Sequence, residues 1–282
     1  MILFNGKKLA DSSITAFRRQ IKSLSTKGII PGLAVVMVEG NSASEIYVRN
    51  KKDLCEKLGI KFKLHRLASK SSPEKIARTI LALNQDPKVH GIILQLPLPA
   101  GIDMVPLVSL ISPLKDSDGL HPFNMGLLAM GRPMFVPATA QGIFKLIDAY
   151  KIKVKGKRVL MIGFGAVAGM PISLMLANRK ATVTIAQDAT KDLKTIALKA
   201  DVIITAVGKP KLIKANMVKR GVIVIDAGSS KLRGKLAGDV DFANVSKKAK
   251  YLTPVPGGVG PLTVSSLVAN VLRAAEISAT KG

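Results

Sequence analysis

At 282 residues the chain suits about two domains of ~150 residues or one large α/β domain, and a composition of 48% hydrophobic and 22% charged excludes disordered, collagen-like and low-complexity readings. A single cysteine, Cys55, cannot close an intramolecular disulfide, and one thiol with three scattered histidines gives no zinc spacing, so no metal is expected. The balance of 43 Lys+Arg against 18 Asp+Glu, a net +25, would attract nucleic acid, anionic lipid or acidic metabolites.

In chain order, the opening MILFNGKKLADSS is not a signal peptide, and no run of ~18 apolar residues follows that could span a bilayer. The chain therefore reads as soluble and cytoplasmic, with no membrane partner. The apolar run LAVVMV predicts a buried strand at 33–38, and the stretch Ser44 to Leu58 a helix that Gly59 can end. KFKLHRL reads as a strand. Ser72 and Pro73 start a helix as N-cap and first residue, with Ile76, Ile80 and Leu83 on one face. GIILQLPLP is the next buried strand, stopped by Pro97 and Pro99. Strands separated by helices of this length imply parallel βαβ units.

The second half restarts the pattern. QGIFKLIDAY reads as a helix, followed by Lys151, Lys153, Lys155 and Lys157 alternating with Ile152, Val154 and Gly156. Those lysines read as a solvated linker face, with a nucleic-acid arm as the alternative. With no Trp, three Tyr and eight Phe, little is available to stack on bases, so nucleic acid is not expected as a partner. KRVLMIG, TVTIAQD, VIITAVG and VIVIDAG are short apolar strands, and a final helix spans roughly Thr263 to Ser278 with Leu267, Val271 and Ala274 on one face.

Gly163-Phe164-Gly165-Ala166-Val167-Ala168-Gly169 follows a strand and opens a helix, one residue longer than the usual dinucleotide fingerprint. Glycines there let backbone approach a pyrophosphate, and the helix N-terminus supplies N–H donors and partial positive charge. Tight-turn packing is the alternative. The strand before, the helix after and Asp188 at the end of the next strand favour a dinucleotide. The fold class expected is α/β: two α/β domains, the second a Rossmann domain.

Several segments together resemble the methylenetetrahydrofolate dehydrogenase/methenyltetrahydrofolate cyclohydrolase family. They are ASEIYVRNKKDLCEKLGI, GIILQLPLP, PLKDSDGLHPFNMGLL, ADVIITAVGKP, GDVDF and TPVPGGVGPLTV, in the family's order over nearly the whole chain. The resemblance implies two domains flanking a cleft. Residues 1–136 would form the folate-binding catalytic domain, with the C-terminal helix 262–282 packing back on it, and 137–261 the NAD(P)-binding domain. It implies oxidation of 5,10-methylenetetrahydrofolate by hydride transfer to NAD(P)+, then hydrolysis of the methenyl product to 10-formyltetrahydrofolate. The implied partners are tetrahydrofolate derivatives, with polyglutamate tails that suit a basic rim, and a second copy of the chain in a homodimer.

Residue by residue, the resemblance places the family's lysine at Lys51, one turn from Tyr47, so that both face one cleft. Tyr47 would stack on the aminobenzoate part of the folate, and Lys51, partly desolvated, would exchange protons near neutrality. Gln95 would orient and tune Lys51. Asp118, the second aspartate of D-S-D-G, would pair with N–H groups of the pterin; otherwise it caps its own turn. Pro256, Gly257, Gly258 and Pro261 would form the folate wall, and Gly163, Phe164, Gly165, Asp188, Gly208 and Ser229 the dinucleotide site. His121 and Cys55 read as structural.

The chain departs from the family on the cofactor side. Phe164 and Gly165 stand where the family has the arginine and serine of G-R-S, which help hold the 2′-phosphate of NADP. Ala186-Gln187-Asp188-Ala189-Thr190 replaces C-H-S-x-T, Pro137-Ala138-Thr139-Ala140 replaces P-C-T-P, and Asp226-Ala227-Gly228-Ser229 replaces D-V-G-I. NADP+ is the family default, whereas Phe164, Gly165 and Asp188 favour NAD+. Two other readings stay open: a cyclohydrolase with a degraded dinucleotide site, and a basic nucleic-acid-binding protein that keeps the fold.

Overall fold

The computed structural model describes residues 1–232 and 235–280. The chain begins with β1 (Ile2–Leu3), α1 (Gly6–Ser12), α2 (Ile14–Ser25), β2 (Gly32–Val38), α3 (Ser42–Leu58) and β3 (Lys61–Leu67). Next come α4 (Pro73–Gln85), β4 (Gly91–Leu94), α5 (Met104–Val108), α6 (Pro122–Ala129) and α7 (Ala138–Ala149). The second half holds β5 (Arg158–Ile162), α8 (Gly169–Asn178), β6 (Thr182–Ala186), α9 (Leu193–Lys199), β7 (Val202–Thr205) and β8 (Ile223–Asp226). It ends with β9 (Ser230–Leu232), β10 (Lys235–Ala237), α10 (Phe242–Val245), β11 (Tyr251–Leu252) and α11 (Val259–Ala279).

The chain divides into two compact units. One holds Ser12–Leu127, Pro133–Ala138 and the residues from Val264 onward. Its sheet has the order β3-β2-β4, all parallel. Every residue of the central strand β2 is buried, as a parallel strand covered on both faces must be. The two-residue alternation sorts its side chains. Leu33, Val35 and Met37 pack with Cys55 and Leu58 of α3 and with Leu267, Val268 and Val271 of α11. Ala34, Val36 and Val38 pack with Ile76, Ile80 and Leu83 of α4. Ser72 caps α4, its side chain accepting the backbone N–H of Lys75.

The other unit holds Met1–Asp11, Leu128–Arg132 and Thr139–Thr263. Six of its described strands form one sheet in the order β1-β11-β8-β7-β5-β6, all parallel, and β9 and β10 pair antiparallel as a separate two-stranded ribbon. Because β5 lies between β6 and β7, the chain reverses its direction of winding at β5, as in a doubly wound Rossmann sheet.

Within the expected range 1–136, two segments, Met1–Asp11 and Leu128–Arg132, fall in the second unit, and the other limits shift by two residues. Ile2 and Leu3 pair with Tyr251 and Leu252, and Phe4, with no exposed surface, packs against the rings of Tyr150 and Tyr251 at 4.8 and 5.4 Å. The side chain of Asn178 donates to the carbonyl of Leu128 at 2.9 Å. Both short segments thus gain their partners from the second unit. A two-residue strand carries no periodicity that could have announced it. Smaller differences occur at element ends: β4 stops at Leu94, α7 begins at Ala138, and α11 begins at Val259, so that Pro261 lies in its first turn. Proline is tolerated there because first-turn N–H groups have no helical partner.

Ile80 is fully buried between α4 and β2. Ile80→Ala should cost about 2–5 kcal/mol through lost burial and a residual cavity, seen as a lower urea midpoint for the unit that holds it.

Candidate active site

The helix α3 presents Tyr47 and Lys51 one turn apart, with Tyr47 half-buried and Lys51 only 7% exposed. The Lys51 ammonium donates to Gln95 Oε1 at 2.8 Å, and the Gln95 amide nitrogen donates to the Leu96 carbonyl at 2.7 Å. Gln95 follows β4 and its own N–H still joins the ladder, donating to Val36 at 2.8 Å. The carboxamide is therefore fixed at both ends, and its oxygen can only face the lysine. Burial pushes the pKa of Lys51 down from the usual lysine range, and the charge of Asp118 opposes that shift. Burial pushes the Asp118 carboxyl up, Lys51 pulls it down, and Asp116 pushes it up again.

The first aspartate of D-S-D-G settles which of the two caps the turn. Asp116 is 1% exposed, and one of its oxygens accepts the N–H groups of Gly119 at 3.0 Å and Leu120 at 3.2 Å. The other accepts the His121 N–H and the Asn124 side-chain nitrogen, both at 2.8 Å. Asp116 does the capping, and the Asp118 carboxylate accepts no hydrogen bond among the described residues. Asn270 of α11 steadies the same loop, donating to the carbonyls of Ser117 and Val136, each at 2.9 Å. Gly119, at φ +72, cannot be replaced, since a Cβ there would lie 2.7 Å from the nitrogen of Pro137.

His121 ties its ring to the loop: its Nδ1 accepts the Phe123 N–H at 3.0 Å, and its other ring nitrogen lies 3.2 Å from the Ser109 carbonyl. Cys55 is fully buried in the core and its thiol is pushed up to about 12 by burial, which makes it a poor nucleophile. Among the described residues no group of three or more His, Cys, Asp or Glu could hold a metal ion.

In the second unit, the glycine turn links β5 to α8. Gly163 has φ +92, and a Cβ on it would approach Val207 Cγ1 to 2.7 Å. A Cβ on Gly169 would lie 2.1 Å from the Gly163 carbonyl oxygen, so this is the glycine that lets helix and strand pack closely. Gly165 differs: a Cβ there would meet nothing within 4 Å. Its surroundings are open space at the head of α8, as a pyrophosphate would need. Phe164 is half-buried, and Asp188 is exposed two residues past β6, one oxygen accepting the adjacent Ala189 N–H at 3.0 Å. Gly208 and Ser229, both exposed, follow β7 and β8.

Pro256, Gly257, Gly258 and Pro261 also belong to this unit, where a Cβ on Gly6 of α1 would lie 1.7 Å from the Gly258 carbonyl oxygen. The four proposed folate-side residues Tyr47, Lys51, Gln95 and Asp118 thus share one unit, and the proposed cofactor residues share the other. Sequence reasoning passed over Asp116, Asp226 and Asp239. All three are buried aspartates, and each stands beside a glycine-containing turn whose N–H groups needed acceptors.

Comparison with known proteins decides the family. A model described as the tetrahydrofolate dehydrogenase/cyclohydrolase catalytic domain matches residues 4–118, and one described as the NAD(P)-binding domain of the same family matches residues 137–279. The chain belongs to the tetrahydrofolate dehydrogenase/cyclohydrolase family. The bifunctional protein FolD of Nautilia profundicola is 44% identical over 277 residues, 98% of each chain. The crystal structure of the bifunctional FolD dehydrogenase/cyclohydrolase from Campylobacter jejuni aligns with a TM-score of 0.94 at 42% identity, covering 98% of this chain and 99% of that one. The Trypanosoma brucei FolD structure, complexed with NADP cofactor and inhibitor, aligns with a TM-score of 0.94 at 36% identity, covering 98% of each chain.

Because the Asp118 charge holds the Lys51 pKa up against burial, Asp118→Asn should lower it further. An NMR titration of the lysine side chain would check this, the outcome against it being an unchanged or higher pKa.

Proposed function

We propose that this chain oxidises 5,10-methylenetetrahydrofolate to the 5,10-methenyl form with NAD(P)+ and hydrolyses that product to 10-formyltetrahydrofolate. The observation that carries the reading is the buried Lys51 ammonium on Gln95 Oε1, electrostatically coupled to an Asp118 that spends none of its hydrogen-bonding capacity on its own loop.

Tyr47, on the same helix face as Lys51, offers its ring to the aminobenzoate of the folate. Asp118 offers two oxygens to the parallel N–H donors of the pterin. For hydrolysis, water adds to the methenyl carbon and the bond from that carbon to N5 breaks. Lys51 in its neutral form takes a proton from the adding water and returns it to N5, while one proton leaves in the net reaction. A depressed lysine pKa makes both protonation states accessible, as a general acid–base requires. Gln95 keeps the nitrogen aimed by accepting from it in either state.

The residues present fit a dinucleotide: the open space at Gly165 and the start of α8 suit its pyrophosphate, and Gly208 and Ser229 sit on the turns after β7 and β8. When bound, NAD(P)+ accepts the hydride. The folate nitrogen stabilises the cation that remains, so the protein's share of this step is to position the reactants and exclude water. Polyglutamylated folates suit the net +25 of the chain. The family setting favours a cytoplasmic homodimer; among the described residues no helix is long and apolar enough to cross a membrane.

Lys51→Met should reduce cyclohydrolase activity by ~10²–10⁴-fold, the usual contribution of a positioned acid–base, and reduce dehydrogenase activity less. Hydrolysis of methenyltetrahydrofolate at the wild-type rate would remove Lys51 from its role.

Cofactor choice follows from the side chains on the cofactor turns. Phe164 and Gly165 give a 2′-phosphate no side-chain donor, and the exposed Asp188 carboxylate would repel it while accepting from a free ribose hydroxyl. The general positive field is screened within about 8–10 Å, whereas Asp188 acts at contact. The chain should therefore show a higher kcat/KM with NAD+ than with NADP+, and Phe164→Arg with Asp188→Ser should move the preference toward NADP+. A wild-type ratio in favour of NADP+ would refute this choice alone.

A further inference from the structure

Two buried carboxylates hold the turns that follow β7 and β8. Asp239 has no exposed surface; one of its oxygens accepts the Thr205 hydroxyl at 2.7 Å and the Val207 N–H at 2.9 Å. Its other oxygen accepts the Lys209 N–H at 2.7 Å. Asp226, the last residue of β8, accepts the N–H groups of Gly228 at 2.9 Å and Asp239 at 3.0 Å on one oxygen, and that of Val240 at 2.9 Å on the other.

The two interlock. Asp226 fixes the backbone that bears Asp239, and Asp239 fixes the turn Ala206–Lys209 that bears Gly208. Two glycines make the lock possible. A Cβ on Gly228 would lie 2.3 Å from the Asp239 carboxyl, and one on Gly238 would lie 2.1 Å from Asp226 Oδ2. Each carboxylate occupies the space that a side chain would need at the glycine beside the other. Burying two like charges this close is costly, and burial first of all pushes the Asp226 carboxyl up to about 6. Five backbone N–H groups and one hydroxyl offset that cost.

The geometry of the sheet says what the lock controls. A dinucleotide crosses a doubly wound sheet at its switch point, which here lies between β5 and β7. Its pyrophosphate belongs at the head of α8 and its adenosine toward the end of β6, beside Asp188. The nicotinamide half then lies over the ends of β7 and β8. We propose that Asp239, itself held by Asp226, is the positioning residue for the nicotinamide half of the cofactor site, a role that rests on the NAD(P) reading above.

Asp239→Asn keeps the shape but turns an NH₂ group toward N–H donors, and Thr205→Val removes one hydroxyl at constant size. The full-length variants would be titrated by calorimetry with NAD+, with NADP+ and with ADP, which reaches only the adenosine and pyrophosphate positions. Dinucleotide affinity should fall ~10-fold or more in Asp239→Asn, the scale of a lost hydrogen bond to a charged group, and roughly threefold in Thr205→Val. The KM for dinucleotide should rise in step, with ADP affinity and the cyclohydrolase rate within about twofold of wild type. Unchanged NAD(P)+ affinity, or ADP weakened as much as the dinucleotide, would overturn the proposal. If Asp239→Asn does not fold, Thr205→Val decides by the same comparison. A wild-type chain that binds neither dinucleotide would overturn the cofactor reading and this inference with it.

Discussion

Burying the ammonium of Lys51 sets the terms for the unit around it. A cation taken out of water needs an acceptor at contact and a counter-charge near enough to act, and each kind of compensation has a different consequence. Gln95 supplies a neutral acceptor at 2.8 Å, and Asp118 supplies charge without an ion pair to Lys51 among the described residues. A direct ion pair would hold the proton on the nitrogen. A neutral acceptor adds no charge to hold the proton there, and the Asp118 charge opposes the lowering of the pKa that burial causes. The same constraint explains why β4 ends where it does: Gln95 continues the ladder with its N–H to Val36, yet its side chain turns to meet α3.

The chain has few acids, and it places three of them inside. Asp116, Asp226 and Asp239 are each at most 3% exposed, and each gathers N–H groups from a turn that has no ladder to join. A carboxylate serves this purpose better than a neutral side chain because its two oxygens can accept from several converging donors at once. These buried acids also leave the surface more positive than the composition alone suggests. The high lysine content therefore meets solvent largely unopposed, as at the exposed Lys151, Lys153, Lys155 and Lys157.

Most of the architecture was legible in the sequence because its signals are local and repeated. Ser72 before Pro73, the alternation in LAVVMV and the Gly163–Gly169 turn each state their structure within a few residues. The N-terminal strand was not legible, because Ile2 and Leu3 gain meaning only from Tyr251 and Leu252, far along the chain. At the site, the family resemblance picked out Tyr47 and Lys51, and helical spacing put both on one face. Asp118 could not be told from a turn cap, since both aspartates of D-S-D-G suit that role by composition. Only the hydrogen bonds of Asp116 separate the two. Asp226 and Asp239 were hidden for the same reason: an aspartate at a strand end reads as a solvated loop residue until its donors are seen.

The second unit separates the shape of its turns from what those turns present. Gly163 and Gly169 are fixed by contacts with Val207 and with each other, and the turns after β7 and β8 are fixed by Asp239 and Asp226. None of these contacts involves the side chains of Phe164 or Asp188. Exchanging those two residues therefore alters charge and hydrogen-bonding capacity at the mouth of the site while the backbone beneath keeps its course. Gly165, open on its side-chain face, belongs with them. This division accounts for a chain that departs from the family at the residues proposed to face a 2′-phosphate and still folds its NAD(P)-binding domain as the family does. On the proposed reading, binding a dinucleotide depends on the fixed turns, and choosing between the two dinucleotides depends on side chains that the fold leaves free to vary.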